Sequence, residues 1–268
     1  MTDPTTFDQK HELVTSYLFK PIVLAGLRLL FAVFTLATIL ATLIWQGVHR
    51  GAESCVPTLL YFSFFTNLTY IGICAYMFAS GVQTYAFAQS LKKGGGDKST
   101  PSYPLQRWPK VLQHLHVLLY ATIATFPIIV TVVYWALLGG SDSFSTMFSS
   151  YSNITKHALN SFFCVFEIAL TNVGPLRWID LPATILILAG YVGVAYITYH
   201  TQHFYPYSFL DPKEQGKLVA AYIVGIAVGQ VVVFVIVWGL IKLRVHLVQR
   251  SKSSPDVQSE KPKSDLEA

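Results

Sequence analysis

Six apolar runs, each about 17–28 residues long, dominate the chain at 21–45, 57–80, 111–138, 157–173, 181–200 and 218–241. At about 1.5 Å of rise per residue, helices of this length match a hydrocarbon core of about 30 Å. The expected fold is therefore all-α: a polytopic membrane bundle of six transmembrane helices. Composition agrees, with 53% hydrophobic and 12% charged residues among 268, whereas a soluble domain carries about 25% charged residues. The first run is too long, and follows too polar a tail, to be a cleaved signal peptide.

Lysine and arginine placement sets the orientation. With the N-terminus in the cytosol, twelve of these residues fall on the inner side, among them Lys92, Lys93, Lys242, Arg244 and Arg250. Only Arg50, Lys156, Lys213 and Lys217 fall outside. Both termini are then cytosolic. The net charge of +5 serves topology and contact with anionic membrane lipids rather than nucleic acid. Segments 1–16 and 247–268 have the composition of disordered cytoplasmic tails flanking a transmembrane domain at 17–246. The glycine-rich stretch 92–104 has the composition of a flexible linker, and the aromatic loop 201–217 is expected to lie on the bilayer surface. Cys55, Cys74 and Cys164 are too few for a disulfide framework. With no retention signal at the C-terminus, the endoplasmic reticulum and the plasma membrane both fit.

Polar residues inside these runs are the candidates for chemistry. Ser63, Asn67 and Tyr70 recur at helical spacing on one face of the second span. Such a face can glue helices together, or Ser63 or Thr66 can act as a nucleophile if a base lies within reach. His157, at the outer lip of the fourth span, is the candidate base. Asn160, one turn deeper, could orient the imidazole or donate to an oxyanion. Glu167 lies about 15 Å below the outer boundary, level with Arg28 of the first span. An ionised group there is costly unless paired, so an Arg28–Glu167 ion pair is expected. His114 and His116 point about 200° apart on a helix and cannot clamp one metal. No metal or organic cofactor is called for.

Three stretches together resemble the androgen-induced and FAR-17a-like family of six-pass membrane proteins and its bacterial relatives. They are Tyr61-Phe62-Ser63-Phe64-Phe65-Thr66-Asn67-Leu68, His157 with Glu167 ten residues on, and Phe204-Tyr205-Pro206-Tyr207-Ser208-Phe209. Animal members hydrolyse fatty acid esters of hydroxy fatty acids with a threonine nucleophile and a histidine. The resemblance implies a membrane-embedded hydrolase of lipid esters, with Ser63 at the threonine position and His157 as the base. Thr66, one turn away, competes for the nucleophile's role, and Asn67 or Asn160 would stabilise the oxyanion. The other expectation from the residues is a non-catalytic membrane protein that binds lipid or sterol, or acts as a scaffold.

Overall fold

Proline punctuates the ends of several helices, because its missing N–H costs nothing at a helix start. Pro21 opens the first helix, Pro109 precedes the third, and Pro212 opens a short one that Asp211 caps by accepting from the Lys213 N–H at 2.8 Å. The computed structural model describes residues 7–48, 58–93 and 100–253. The chain runs through α1 (Pro21–Val48), α2 (Phe65–Lys93), α3 (Lys110–Val133), α4 (Met147–Ile154), α5 (Asn160–Leu170), α6 (Asp180–Gln202), α7 (Pro212–Gln215) and α8 (Leu218–Ser253). Every regular element among the described residues is helical. Five are long and apolar enough to cross a membrane: α1, α2, α6, α8, and α3 with the π turn Tyr134–Leu138 that continues it. Their outer faces carry bare aliphatic side chains such as Leu30, 61% exposed, and Leu186, 72% exposed. Surfaces of this kind are a liability in water and at home in hydrocarbon.

The inside of the bundle is held by close approach and by polar bridges. Gly81 of α2 sits against α1 so tightly that a Cβ there would lie 2.9 Å from Leu29 Cδ2 and 3.3 Å from the Leu29 backbone nitrogen. Small residues permit this kind of approach where no hydrophobic effect separates helix from lipid. Gln230 of α8 donates to Thr125 of α3 at 3.0 Å and Thr184 of α6 at 3.2 Å, joining three helices through one buried amide.

The most heavily bonded group is Arg28 on α1, fully buried. Its Nε and Nη2 donate to the two Glu167 carboxylate oxygens of α5 at 2.8 and 2.7 Å. Glu167 satisfies one edge of the guanidinium only. Nη1 donates to Thr84 of α2 at 2.7 Å and to the Leu13 carbonyl at 2.9 Å. Tyr76 adds a hydrogen bond to Glu167 Oε2 at 3.3 Å.

That demand for acceptors explains a departure from the sequence reading. The tail expected to be disordered through residue 16 is ordered from Phe7. Leu13 and Val14 are buried, and Asp8 accepts from Glu12 and Leu13 N–H groups and from the Tyr103 hydroxyl at 2.5 Å. His11 stacks on Phe87 with ring centroids 4.7 Å apart. The expected flexible linker is fixed at both ends: Lys92 and Lys93 belong to α2, Tyr103 is buried, and just beyond it Gln83 accepts from the Leu105 N–H at 2.9 Å; residues 94–99 lie outside the described residues. At the other terminus α8 continues to Ser253, past the boundary expected at 247, and 254–268 lie outside the described residues.

The run expected as a span at 157–173 begins earlier. Helix starts at Met147, where Thr146 accepts from the Ser149 N–H and Ser149 bonds back to Thr146, a reciprocal cap. It passes through a π turn at Thr155–Leu159 and ends at Leu170. His157 therefore lies ten residues, about 15 Å, inside the helical run and not at its lip. The aromatic loop differs as well. Phe209 and Leu210 are buried against the bundle, and Tyr207 stacks on Phe209 at 5.2 Å instead of lying flat on a surface.

Glu167→Gln should cost about 3–5 kcal/mol of stability, because it leaves a buried guanidinium uncompensated. Adding Arg28→Met to that variant should recover part of the loss. Thermal unfolding of the single and double variants in detergent checks this, and strictly additive losses would count against the pair.

Candidate functional site

At the end of the bundle opposite the chain termini, α2, α3, α6, α8 and the aromatic loop surround a cavity of about 120 Å³. Its wall is mainly aliphatic and aromatic: Phe65, Val130, Leu188, Phe209 and Ile226 are among the lining residues. Polar atoms enter through Thr66, Tyr134, Tyr191 and Tyr207. The volume is close to the roughly 150 Å³ apolar cavity known to hold a benzene ring. It suits the end of an alkyl chain or one ring.

Ser63 does not sit on α2. It ends a 3-10 turn, Thr58–Ser63, so the helical spacing that aligned it with Asn67 and Tyr70 does not apply. Its Oγ accepts from Thr198 of α6 at 3.0 Å, and its carbonyl accepts from the Tyr191 hydroxyl at 3.0 Å. Thr66, one turn on, lies on the cavity wall. Tyr207 reaches it from the loop, with Oη 3.3 Å from both the Thr66 nitrogen and its Oγ1. Burial pushes the Tyr207 phenol above its ordinary range, so the hydroxyl stays neutral and available for hydrogen bonding.

His157 is buried on the π turn. Its ring lies flat on Tyr134, with centroids 3.6 Å apart and planes 8° apart. Its Nδ1 is buried with no hydrogen-bond partner among the described residues. Tyr134 belongs to the cavity wall, and His157 does not line it. Among the described residues no hydrogen bond joins His157 to Ser63 or to Thr66. The two elements of the expected dyad thus occupy different surroundings, Ser63 against α6 and His157 against the end of α3.

The two asparagines work inside the scaffold. Asn67 donates to the Tyr61 carbonyl at 2.8 Å and so fastens the 3-10 turn to α2. Asn160 accepts from Thr131 at 3.2 Å and from the Ser161 N–H at 2.7 Å, and donates to the Pro127 carbonyl at 3.4 Å. Both amides are therefore engaged away from the cavity wall. Among the described residues no group of three or more His, Cys, Asp and Glu gathers as a metal set would.

Residues that the sequence reading passed over include Thr198, Tyr191, Tyr134 and Lys156. Thr184, Tyr191 and Thr198 stand seven apart on α6 and are all buried, a polar stripe legible from spacing alone. Lys156 is buried beside His157, its ammonium 4.9 Å from the centroid of the Tyr61 ring. Thr155, Lys156 and His157 are buried in succession on the π turn.

The chain has no match among known protein families, characterised proteins or solved structures. The stacked pair is open to a direct check. A double-mutant cycle with His157→Gln and Tyr134→Leu should give a coupling of about 0.5–1.5 kcal/mol in thermal unfolding, the range for packed aromatic pairs. Zero coupling would mean that the rings do not stack.

Proposed function

We propose that the protein is a six-pass integral membrane protein with both termini cytosolic, and that it binds the apolar end of a membrane lipid or sterol in its outer half. The sixth pass is the continuous helical run from Met147 through the π turn to Leu170. The basic residues clustered toward the ends that carry the termini support the orientation. The observation that carries the binding reading is the cavity between α2, α3, α6 and α8, apolar except for a few hydroxyls grouped at Thr66 and Tyr207. An alkyl chain fills such a space, and those hydroxyls hydrogen-bond an ester or hydroxyl at its head. The membrane of the endoplasmic reticulum and the plasma membrane both supply such ligands.

A second reading, ester hydrolysis, is favoured by one observation. Tyr134 shares the cavity wall with the Thr66 hydroxyl, and against Tyr134 stacks His157, whose Nδ1 has no hydrogen-bond partner among the described residues. If Tyr134 swings aside, His157 could take a proton from Thr66 or Ser63 as its oxygen attacks the ester carbonyl. The alcohol would leave with a proton returned by His157, and water would then release the acid.

Photo-crosslinking with a diazirine-bearing fatty acid or sterol tests the first reading. Ala227→Phe, which puts a ring into the cavity, should lower labelling at least about fivefold while the fold survives, at the roughly 1–3 kcal/mol typical of overpacking. Undiminished labelling would defeat the binding reading. Turnover of a fatty acid ester of a hydroxy fatty acid, lost in His157→Gln and in Ser63→Ala or Thr66→Val, would support hydrolysis; turnover retained by all three variants would exclude this dyad.

A further inference from the structure

The end of the bundle that carries the termini holds a second cavity, of about 210 Å³, between the N-terminal segment and the end of α8. Its wall includes Lys10, Glu12, Tyr17, Asn172 and Arg244. Most of these polar groups are already committed. The Tyr17 hydroxyl donates to the Ala169 carbonyl at 2.6 Å, and the Asn172 amide donates to Thr15 at 3.0 Å. Arg244 is committed on one side only, where Nη2 donates to the Val173 carbonyl. Its Nη1 is buried and has no hydrogen-bond partner among the described residues. A charged donor left without an acceptor in a sheltered place is unfavourable, and an incoming oxyanion removes that deficit.

The charges nearby point the same way. Among the described residues the ion pairs are Arg28–Glu167 and Arg177–Asp180, so neither Lys10 nor Arg244 is within ion-pair distance of Glu12. The Glu12 carboxylate instead rests against Gly174, where a Cβ would lie 3.0 Å from its Oε2. Two cations therefore share the wall with one carboxylate that is turned to the backbone, which leaves a net positive cavity. Its position at the base of a bundle otherwise clad in aliphatic side chains is where a headgroup would lie.

We propose that this cavity is a phosphate-binding site, held by Arg244 with Lys10, that takes the headgroup of an anionic phospholipid. Arg244 stays anchored on Val173 through Nη2 while rotation of its last side-chain torsions turns Nη1 onto a phosphate oxygen. Lys10, exposed at the rim, supplies the second charge. The proposal is independent of the cavity at the opposite end, so the failure of one leaves the other standing.

The test uses the full chain in nanodiscs of phosphatidylcholine with and without phosphatidic acid, and in detergent with inorganic phosphate or glycerol 3-phosphate. Lipid retention in native mass spectrometry and the shift of the unfolding midpoint report binding. Arg244→Gln should weaken phosphatidic acid binding at least about tenfold, and Lys10→Gln about fivefold. Glu12→Gln should strengthen it by a similar factor, a sign that loss of fold cannot mimic. Lys242→Gln, whose ammonium lies over Trp238 outside the cavity, should change nothing. Binding of the soluble phosphates alone would overturn the lipid source and keep the anion site. Equal binding by wild type, Lys10→Gln and Glu12→Gln would overturn the site itself.

Discussion

The buried guanidinium of Arg28 is the constraint from which much of this structure follows. It has five N–H donors and no tolerance for losing its charge. Glu167 answers two of them, and the rest must find oxygen without help from water. Thr84 on α2 and the carbonyl of Leu13 supply it for two of the remaining three. One side chain on α1 thus fixes α2, α5 and the N-terminal segment relative to each other. An ion pair of this kind contributes little net free energy compared with well-packed apolar side chains. Its effect is positional: any register of α1 that moves Arg28 by a turn strands a charge in hydrocarbon.

The two ends of the bundle differ in kind. Toward the termini the interior is ionic and hydrogen-bonded, and the N-terminal segment closes it through Asp8, Tyr103 and His11. Toward the opposite end it is aromatic, with Phe65, Tyr191, Tyr207 and Phe209 around a cavity that only a few hydroxyls reach. That second arrangement combines apolar space with a few hydroxyls, which is what the proposed amphipathic guest would require. The first arrangement has no comparable room near Arg28, since its groups already satisfy one another. Ligand space near the charged end lies farther out, as beside Arg244.

What hydropathy made legible was the approximate place of five long apolar helices, because burial in lipid needs continuous apolar length; the sixth expected span, 157–173, is not among the helices long and apolar enough to cross a membrane. Counting residues from each end also put Arg28 and Glu167 at one depth, and they do pair. The start of the helix at Met147 escaped notice because Ser149 to Asn153 interrupt the apolar run, although the cap formed by Thr146 and Ser149 is written in the sequence. The ordered N-terminal segment escaped for a different reason. Its composition is that of a tail, and only the unfilled donors of Arg28 show why it must dock.

The candidate site was harder to read, because its residues sit where helix geometry breaks. A serine or threonine well inside an α-helix usually turns its hydroxyl back on the carbonyl one turn earlier, as Thr35, Thr42, Thr84 and Thr125 do here. That bond uses the hydroxyl's one proton, which leaves the oxygen able only to accept, as Thr84 does from Arg28 and Thr125 from Gln230. Ser63 ends a 3-10 turn, and Thr66 lies in the first turn of α2, where the carbonyl four residues back belongs to that turn and not to the helix. Their hydroxyls are thereby released to partners on other elements, Thr198 and Tyr207. His157 lies on a π turn, yet it keeps the helical phase of the buried Asn160, Cys164 and Glu167, and its ring is held against Tyr134. Period-based reasoning finds polar residues in a membrane helix, but the breaks in the period decide which of them remain available to a ligand.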